Sequence, residues 1–225
     1  PPPATIFQAQ DGIRDNGAGL VGSEMCIRDR IIGCGDAPPA KTWREDLEHV
    51  EESLLHAHLN IQGIYTSSLN RARNTGKYYA DSMGIKHIHD TSALNEVNYG
   101  KLYNKSKKWV EKHIKGHKQD PDLVYPDGES FNQMKDRSVA FIESIAHEHP
   151  DMTFLIVVHA GVIRGLVSHF LQLDYASNLK RRIGHRYIGD FTIEQNQCVR
   201  YDELGKESGF IKDGVVSTPT YQDIK

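Results

Sequence analysis

The segment over residues 154–171, FLIVVHAGVIRGLVSHFL, constrains the fold of this chain more than any other. Its first five residues, 154–158, are apolar and mostly β-branched or aliphatic, which is typical of a strand buried on both faces. From residue 162 onward the apolar residues recur at helical spacing. The segment therefore predicts a strand, a tight turn over residues 159–161 and a helix, with His159 at the carboxyl end of the strand.

This position is one where side chains and backbone often bind ligands. Open α/β sheets bind ligands at the carboxyl ends of their strands, and the first N–H groups of the following helix attract anions. We therefore expect the backbone of Ala160 and Gly161 to bind an anionic group beside His159. The alternative is that His159 only ends the strand and makes local hydrogen bonds, because a position in a fold does not establish function.

Strand and helix patterns alternate along the rest of the chain. Thr42 and Glu45 have the spacing of a capping box, and Trp109 is the expected apolar anchor of a basic helix. Strands that alternate with helices of this length predict an α/β fold, a three-layer α/β/α domain with a doubly wound, mostly parallel sheet. The predicted helices cover residues 43–59, 69–84 with Thr66, Ser67 and Ser68 as caps, 105–118 and 131–149, and the predicted strands cover 61–65, 85–89 and a hairpin over 188–202.

Charge and composition exclude several classes of function. The net charge of -3 gives no whole-molecule argument for binding nucleic acid or an anionic membrane. No apolar run approaches the length of about 20 residues that spans a bilayer, so we expect a cytoplasmic protein. Cys26, Cys34 and Cys198 include no CxxC pair, and we predict neither a disulfide framework nor a metal site.

The two ends of the chain differ from its middle. Residues 1–30 show no sustained period, and residues 7–30 resemble translated sequencing-library adapter. We interpret residues 1–30 as a non-native or disordered segment and expect native sequence to begin near Ile31; a genuine flexible arm is the alternative. Residues 31–204 are predicted to form the domain, and residues 205–225 a loose tail.

Arg71 is predicted in the first turn of a helix, where the helix dipole makes a cation unfavourable unless an anion is bound. Together with the Ser68 hydroxyl and the helix N–H groups, its guanidinium offers the donors that a phosphate-sized anion needs. The alternative is a surface arginine that pairs with Asp81 or another neighbour.

Glu96 and Glu129 are the candidate acids. Glu96 lies in an irregular segment between predicted elements, where catalytic groups often occur. A carboxyl group beside bound phosphate holds its proton more tightly and can donate it to a leaving alkoxide. The alternatives are that Glu96 is an ordinary solvated side chain and that Glu129 only complements the dipole of the following helix.

Four segments in order, TSSLNRARNT, LNEVNYGKL, PDGES and VVHAGVIRGL, resemble the motifs of the histidine phosphatase family, also called the phosphoglycerate mutase-like superfamily. The resemblance covers residues 31–202 and implies the fold of that family. It also implies that Arg71 grips the phosphoryl group, that Glu96 donates a proton and that His159 is the second active-site histidine. Ser68, Ala160, Gly161 and Glu129 are added as candidate substrate-binding residues.

The first motif of the family is not found. In that family an opening strand leads into Arg-His-Gly, whose histidine attacks phosphorus, and no Arg-His-Gly occurs in the 225 residues. By spacing, residues 5–7 can imitate the strand, which places residues 10–12, Gln-Asp-Gly, where the triplet belongs. Asp11 lacks a partner arginine and is a poor replacement nucleophile. We therefore predict an inactive chain, whose sheet is complete only if residues 4–9 fill the strand position.

The resemblance implies hydrolysis of a small phosphorylated metabolite through a phosphohistidine, without metal or organic cofactor and without nucleic acid or membrane as partner. A phosphoglycerate mutase-type phosphotransferase is the first alternative, because Leu-Asn-Glu-x-x-Tyr-Gly resembles the mutases. Hydrolase is preferred, because the long insertions and tail motifs associated with mutases are not found in this sequence. A non-catalytic phospho-ligand binder is the second alternative. The sequence predicts no oligomeric state.

Overall fold

A computed structural model describes residues 5–9, 30–35, 37, 42–179, 181–204, 209–212 and 215–217. Side chains are described for all of these except residues 5–9, 181–182, 209–212 and 215–217. The predicted N-terminal segment, residues 1–30, therefore lies largely outside the described residues, and the domain boundaries at residues 31 and 204 stay predictions.

A six-stranded sheet forms the centre of the fold. Its strands are β1 (Thr5–Ala9), β2 (Ile61–Ser67), β3 (Ile88–Thr91), β4 (Thr153–Val158), β6 (Ile188–Glu194) and β7 (Gln197–Glu203). They lie in the order β3-β2-β4-β1-β6-β7. β1 to β4 are parallel to one another, and β6 runs antiparallel to both β1 and β7. The prediction of a mostly parallel α/β sheet is confirmed.

Helices cover both faces of this sheet, which gives the predicted three layers. β4 divides its side chains between the two layers, because residues alternate along a strand. Phe154, Ile156 and Val158 face a core formed with the helices at 131–148 and 160–170, while Leu155 and Val157 face a second core. The helices are α1 (Trp43–His56), α2 (Asn70–Met83), α3 (Lys107–His113), α4 (Phe131–Glu148), α5 (Ala160–Phe170) and α6 (Tyr175–Leu179).

The ends of several elements differ from the sequence prediction. The predicted capping box at Thr42 is wrong, because the Thr42 hydroxyl donates to the Asp46 carboxylate (3.0 Å) and caps no backbone N–H. Ser67 belongs to β2, and Leu69 is the N-cap of α2. Trp109 is 40% exposed and stacks on a histidine of its own short helix, while the next residue, Val110, is fully buried.

A small antiparallel sheet, β5-β8-β9, lies apart from the main one. It consists of β5 (Arg181–Arg182), β8 (Gly209–Lys212) and β9 (Val215–Ser217). The last two strands fall inside the segment predicted as a loose tail. Within the described parts of the chain, no helix has the length and apolar character needed to cross a membrane.

Candidate active site

The carboxyl ends of β2 and β4 place two polar side chains in contact. Both strands run in the same direction, and Thr66 pairs with Val157, so the residues that follow lie side by side. Ser67 Oγ is 2.6 Å from His159 Nε2, and both side chains are fully buried. The Leu69 N–H also donates to Ser67 Oγ (3.3 Å), so this hydroxyl connects the entry of α2 to the imidazole.

The Glu96 carboxylate lies against the first turn of α5. Its Oε2 accepts a hydrogen bond from the Gly161 N–H (2.9 Å), and its Oε1 accepts one from the Val97 N–H (2.9 Å). A Cβ atom on Gly161 would lie 2.1 Å from Glu96 Oε1, so glycine is what allows this approach. The helix N-terminus predicted to bind an anion is thus in contact with a carboxylate of the same chain, as its dipole favours.

Ser68 is held against the loop that carries Glu96. Both its backbone N–H and its hydroxyl donate to Asn95 Oδ1, each at 2.9 Å. Because Ser68 follows the strand that ends beside His159, this contact brings the Glu96 loop to the same edge of the sheet.

Arg71 lies in the first turn of α2 and reaches the loop at residues 33–35. Its Nη1 donates to the Gly35 carbonyl (2.7 Å) and its Nη2 to the Gly33 carbonyl (2.8 Å). The alternative that Arg71 pairs with Asp81 is therefore wrong, and it is the neighbouring Arg73 that forms a surface ion pair, with Asp90 (2.7 Å). The two carbonyls fix the plane of the Arg71 guanidinium.

Glu129 forms a two-pronged ion pair with Arg137, with distances of 3.0 Å from Nε to Oε2 and 2.8 Å from Nη2 to Oε1. Its Oε1 also accepts from the Asn98 N–H (2.9 Å). These contacts connect Glu129 to the loop of Glu96, and its assignment as a substrate-binding residue stays a prediction.

One series of contacts thus joins Ser68, Glu96, Glu129, Gly161 and His159 at a single edge of the sheet, while Arg71, in the helix that follows Ser68, is held by the loop at residues 33–35. Three other residues that take part in it were not predicted, namely Ser67, Asn95 and Arg137. Ser67 could have been found from the parallel register of two strands that end in polar residues. Asn95 and Arg137 bind backbone groups far away in the sequence, and no spacing pattern signals such contacts.

β1 brings the N-terminal part of the chain to the same edge. Its last residue, Ala9, pairs with Val158, the residue before His159. Residues 4–9 are predicted to fill a strand position in the sheet, and residues 5–9 occupy it. Residues 10–12 follow directly in the sequence and lie outside the described residues.

The arrangement combines a guanidinium, an imidazole, a carboxyl group and helix N–H donors, which suits binding an oxyanion and moving a proton. Cys34 lies in the loop held by Arg71, but burial raises the pKa of its thiol, which makes it a weak nucleophile. Among the described residues, no group of three or more His, Cys, Asp or Glu side chains is placed to hold a metal ion.

Comparison with known proteins finds relatives among phosphatases and phosphoglycerate mutases. A metal-independent phosphoserine phosphatase of Arabidopsis thaliana is 30% identical over 122 residues, which cover 52% of this chain and 51% of that protein. A 2,3-bisphosphoglycerate-dependent phosphoglycerate mutase of Parvibaculum lavamentivorans is 26% identical over 164 residues, which cover 69% of this chain and 77% of the mutase. The chain thus spans about half the length of the first relative and about three quarters of the second.

The fold also resembles that of solved structures. The structure of YhfR from Bacillus stearothermophilus superposes with a TM-score of 0.70 at 19% identity and covers 99% of both chains. The family described as the histidine phosphatase superfamily (branch 1) matches residues 24–201, which is most of the chain. The protein therefore belongs to the histidine phosphatase superfamily, branch 1.

Proposed function

We propose that this domain binds a small phosphomonoester at the edge formed by β2 and β4 and that its chemistry is hydrolysis through a phosphohistidine. Arg71, His159 and the backbone of Ala160 would hold the phosphoryl oxygens. The Gly161 N–H and the Ser68 hydroxyl, predicted as further donors, donate to Glu96 and Asn95 (2.9 Å each), so these two groups would act on the site through those residues. The observation that carries the proposal is the position of the Glu96 carboxylate. Its Oε2 accepts a hydrogen bond of 2.9 Å from the N–H of Gly161, which is two residues after His159. An acid in that position can protonate the leaving oxygen.

The reaction would proceed in two balanced steps. A histidine nitrogen attacks phosphorus, the bond from phosphorus to the ester oxygen breaks, and Glu96 gives its proton to the departing alkoxide. Water then attacks the phosphohistidine while Glu96 takes a proton from it, which releases phosphate and regenerates the histidine. His159 and Arg71 would stabilise the charge on the phosphoryl oxygens in both steps.

The first nucleophile is the part that this sequence does not supply. No Arg-His-Gly triplet occurs in the 225 residues, and Gln-Asp-Gly at residues 10–12 follows β1 where the triplet is expected. We therefore propose that this chain binds phosphate groups with little or no turnover. The same observation favours a second candidate function, a non-catalytic binder of phosphorylated ligands.

Restoring the triplet tests the proposal. The double variant Gln10→Arg, Asp11→His should hydrolyse p-nitrophenyl phosphate and accumulate acid-labile phosphohistidine, whereas the parent chain should only bind phosphate and vanadate. Because removing the nucleophile of an acting unit can cost up to about a million-fold in turnover, a gain of at least about a thousand-fold is expected. The variant Gln10→Arg, Asp11→Asn, which has the arginine but no imidazole, is the matched control.

The outcomes separate the candidates. Turnover in the double variant supports the phosphatase chemistry, and phosphate binding without turnover in any variant supports the non-catalytic binder. A chain that binds neither phosphate nor vanadate would contradict both. Phosphoryl transfer between 2,3-bisphosphoglycerate and 3-phosphoglycerate by the double variant, faster than hydrolysis, would instead favour the mutase alternative.

A further inference from the structure

Two charged residues, Arg137 and Glu129, hold the loop that carries Glu96. We propose that Arg137, oriented by Glu129, is a positioning residue that keeps the Glu96 carboxyl group at the first turn of α5. This inference rests on the proposed role of Glu96 as the proton donor. It goes further, because it explains how a loop residue far from α5 in sequence keeps a fixed geometry.

Arg137 makes several contacts with the backbone before Glu96. A guanidinium has five N–H donors in a rigid fork, and those that do not face Glu129 are directed at a short stretch of carbonyl groups. This multiple donation fixes the path of the irregular segment that leads into Glu96. Nη1 donates to the carbonyls of Ala93 (2.7 Å) and Ser92 (3.3 Å), and Nη2 donates to those of Asn95 (2.7 Å) and Glu96 itself (3.3 Å).

Glu129 holds the backbone after Glu96. Its carboxylate accepts the Asn98 N–H at 2.9 Å, and its own N–H donates to the Asn98 carbonyl at 2.9 Å. Because the same carboxylate forms the bidentate ion pair with Arg137, one ion pair holds the loop on both sides of Glu96. The acid is therefore held by its flanking backbone, independently of its own carboxylate contacts.

The ion pair between Arg137 and Glu129 is largely buried. The side chains of Arg137 and Glu129 are only 27% and 19% exposed, so their attraction is less screened than that of a surface pair. By contrast, Lys118 and Glu111 form an ion pair at 3.0 Å with about half of each side chain exposed. The two pairs have similar distances and differ in what they hold, which makes the exposed pair a natural control.

The position of Glu96 should determine how strongly the rate depends on the leaving group of the substrate. Phenyl phosphate and p-nitrophenyl phosphate have nearly the same shape, but phenolate leaves much less readily without a proton. Misplacing the acid by about 1 Å can cost about a hundred-fold in rate. A variant that misplaces Glu96 should therefore lose activity on phenyl phosphate and keep it on p-nitrophenyl phosphate.

The experiment introduces Arg137→Gln, Arg137→Lys and Glu129→Gln into the full chain carrying Gln10→Arg and Asp11→His. Arg137→Gln should lower kcat/KM for phenyl phosphate by about 10- to 100-fold and that for p-nitrophenyl phosphate by less than about threefold. Arg137→Lys should recover little, because an ammonium keeps the charge but cannot donate to four carbonyls at once. Lys118→Gln and Glu111→Gln should leave both rates unchanged.

A second measurement, in the parent chain, needs no turnover. Hydrogen exchange at the Val97 and Gly161 amides, which donate to the Glu96 carboxylate, should accelerate in Arg137→Gln more than exchange at Leu155 and Ile156 in β4. Equal acceleration at all four amides would mean that Arg137 serves general stability, and would overturn the inference. So would an unchanged ratio between the two substrates in an active double variant.

These readouts separate failure of the inference from failure of the proposed function. If the double variant hydrolyses neither substrate, the proposed phosphatase chemistry fails. The exchange measurement still decides whether Arg137 and Glu129 position the Glu96 loop.

Discussion

At the scale of single residues, the contact between Ser67 and His159 joins the ends of two strands inside the protein. A buried imidazole nitrogen needs a hydrogen-bond partner, because an unsatisfied buried polar group costs about 1–3 kcal/mol. Ser67 Oγ provides that partner at 2.6 Å and also accepts the Leu69 N–H. The hydroxyl therefore orients a proposed phosphate-binding side chain and stabilises the turn into α2.

Ser67→Ala should lower the free energy of unfolding by about 1–3 kcal/mol, because it removes one partner from each of two hydrogen bonds in the interior. The measurement is urea unfolding followed by circular dichroism. Ser144→Ala is the matched control, since the Ser144 hydroxyl donates to a carbonyl of its own helix on the exposed side and its loss should cost no more than about 0.5 kcal/mol. Equal effects of the two substitutions would argue against the bond to His159.

At the scale of secondary-structure elements, Asp46 fastens α1 to the segment that leads into β6. Its carboxylate is only 4% exposed and accepts from the Thr42 hydroxyl (3.0 Å), from Arg186 Nε (2.7 Å) and from His185 Nδ1 (3.4 Å). Burial by itself would raise the pKa of Asp46. The hydrogen bonds from Arg186 and Thr42 outweigh it, so the pKa lies below its ordinary value of 3.8.

The lowered pKa predicts how this contact depends on pH. A carboxyl group with a lower pKa in the folded state stabilises the fold above its unfolded value, near 3.8, and loses that contribution as the pH falls through the folded value. Asp46→Asn should lower the free energy of unfolding at pH 7 by about 1–3 kcal/mol. Its deficit relative to the parent chain should shrink as the pH falls below about 4.

The measurement is urea unfolding at a series of pH values from 7 down to the acid limit of the folded state. Asp81→Asn, which removes an exposed carboxylate from α2, is the control and should change the free energy of unfolding at pH 7 by no more than about 0.5 kcal/mol. A deficit of Asp46→Asn that stays constant with pH would show that Asp46 contributes through packing and not through its charge.

The elements themselves were largely predictable, and their ends were not. The strand and helix around His159, the helix at 131–148 and the hairpin at 188–203 follow from strong apolar periods, which record burial directly. The hydroxyl of Ser67 predicts a helix cap, but pairing of Ser67 with Thr91 of β3 extends β2 through it. Trp109 is predicted to be the apolar anchor of its helix, yet adjacent residues lie about 100° apart around a helix axis, and it is Val110 that faces inward.

The candidate site was predicted to the extent that its residues lie in local motifs. Arg71, Glu96 and His159 each occupy a recognisable position after a strand or at a helix start. Arg137 could not be found in this way, because its partners are carbonyl groups more than forty residues away in sequence. Only the packing of α4 against the loop brings them together.

At the scale of the whole molecule, the sheet depends on β1, which comes from residues 1–30, the segment predicted to be non-native or disordered. β1 lies between β4 and β6 and is paired on both sides, with Phe7 opposite Ile156 and Gly189. Without it, two neighbouring strands would each present unpaired N–H and C=O groups, which is unfavourable in a protein interior. Whatever their origin, residues 5–9 therefore hold a central structural position.

Proline substitution tests this position without shortening the chain. Phe7→Pro removes a backbone donor from a strand with neighbours on both sides and should cost about 3 kcal/mol or more, a large part of the stability of an ordinary domain. Val199→Pro is the matched control, because Val199 lies at a register shift in β7, the last strand of the sheet, and is 43% exposed. Proline is tolerated at such edges and bulges, so this control should unfold close to the parent chain. If urea unfolds the two variants at the same concentration, residues 5–9 do not form the central strand, and a domain that begins near Ile31 must complete its sheet in another way.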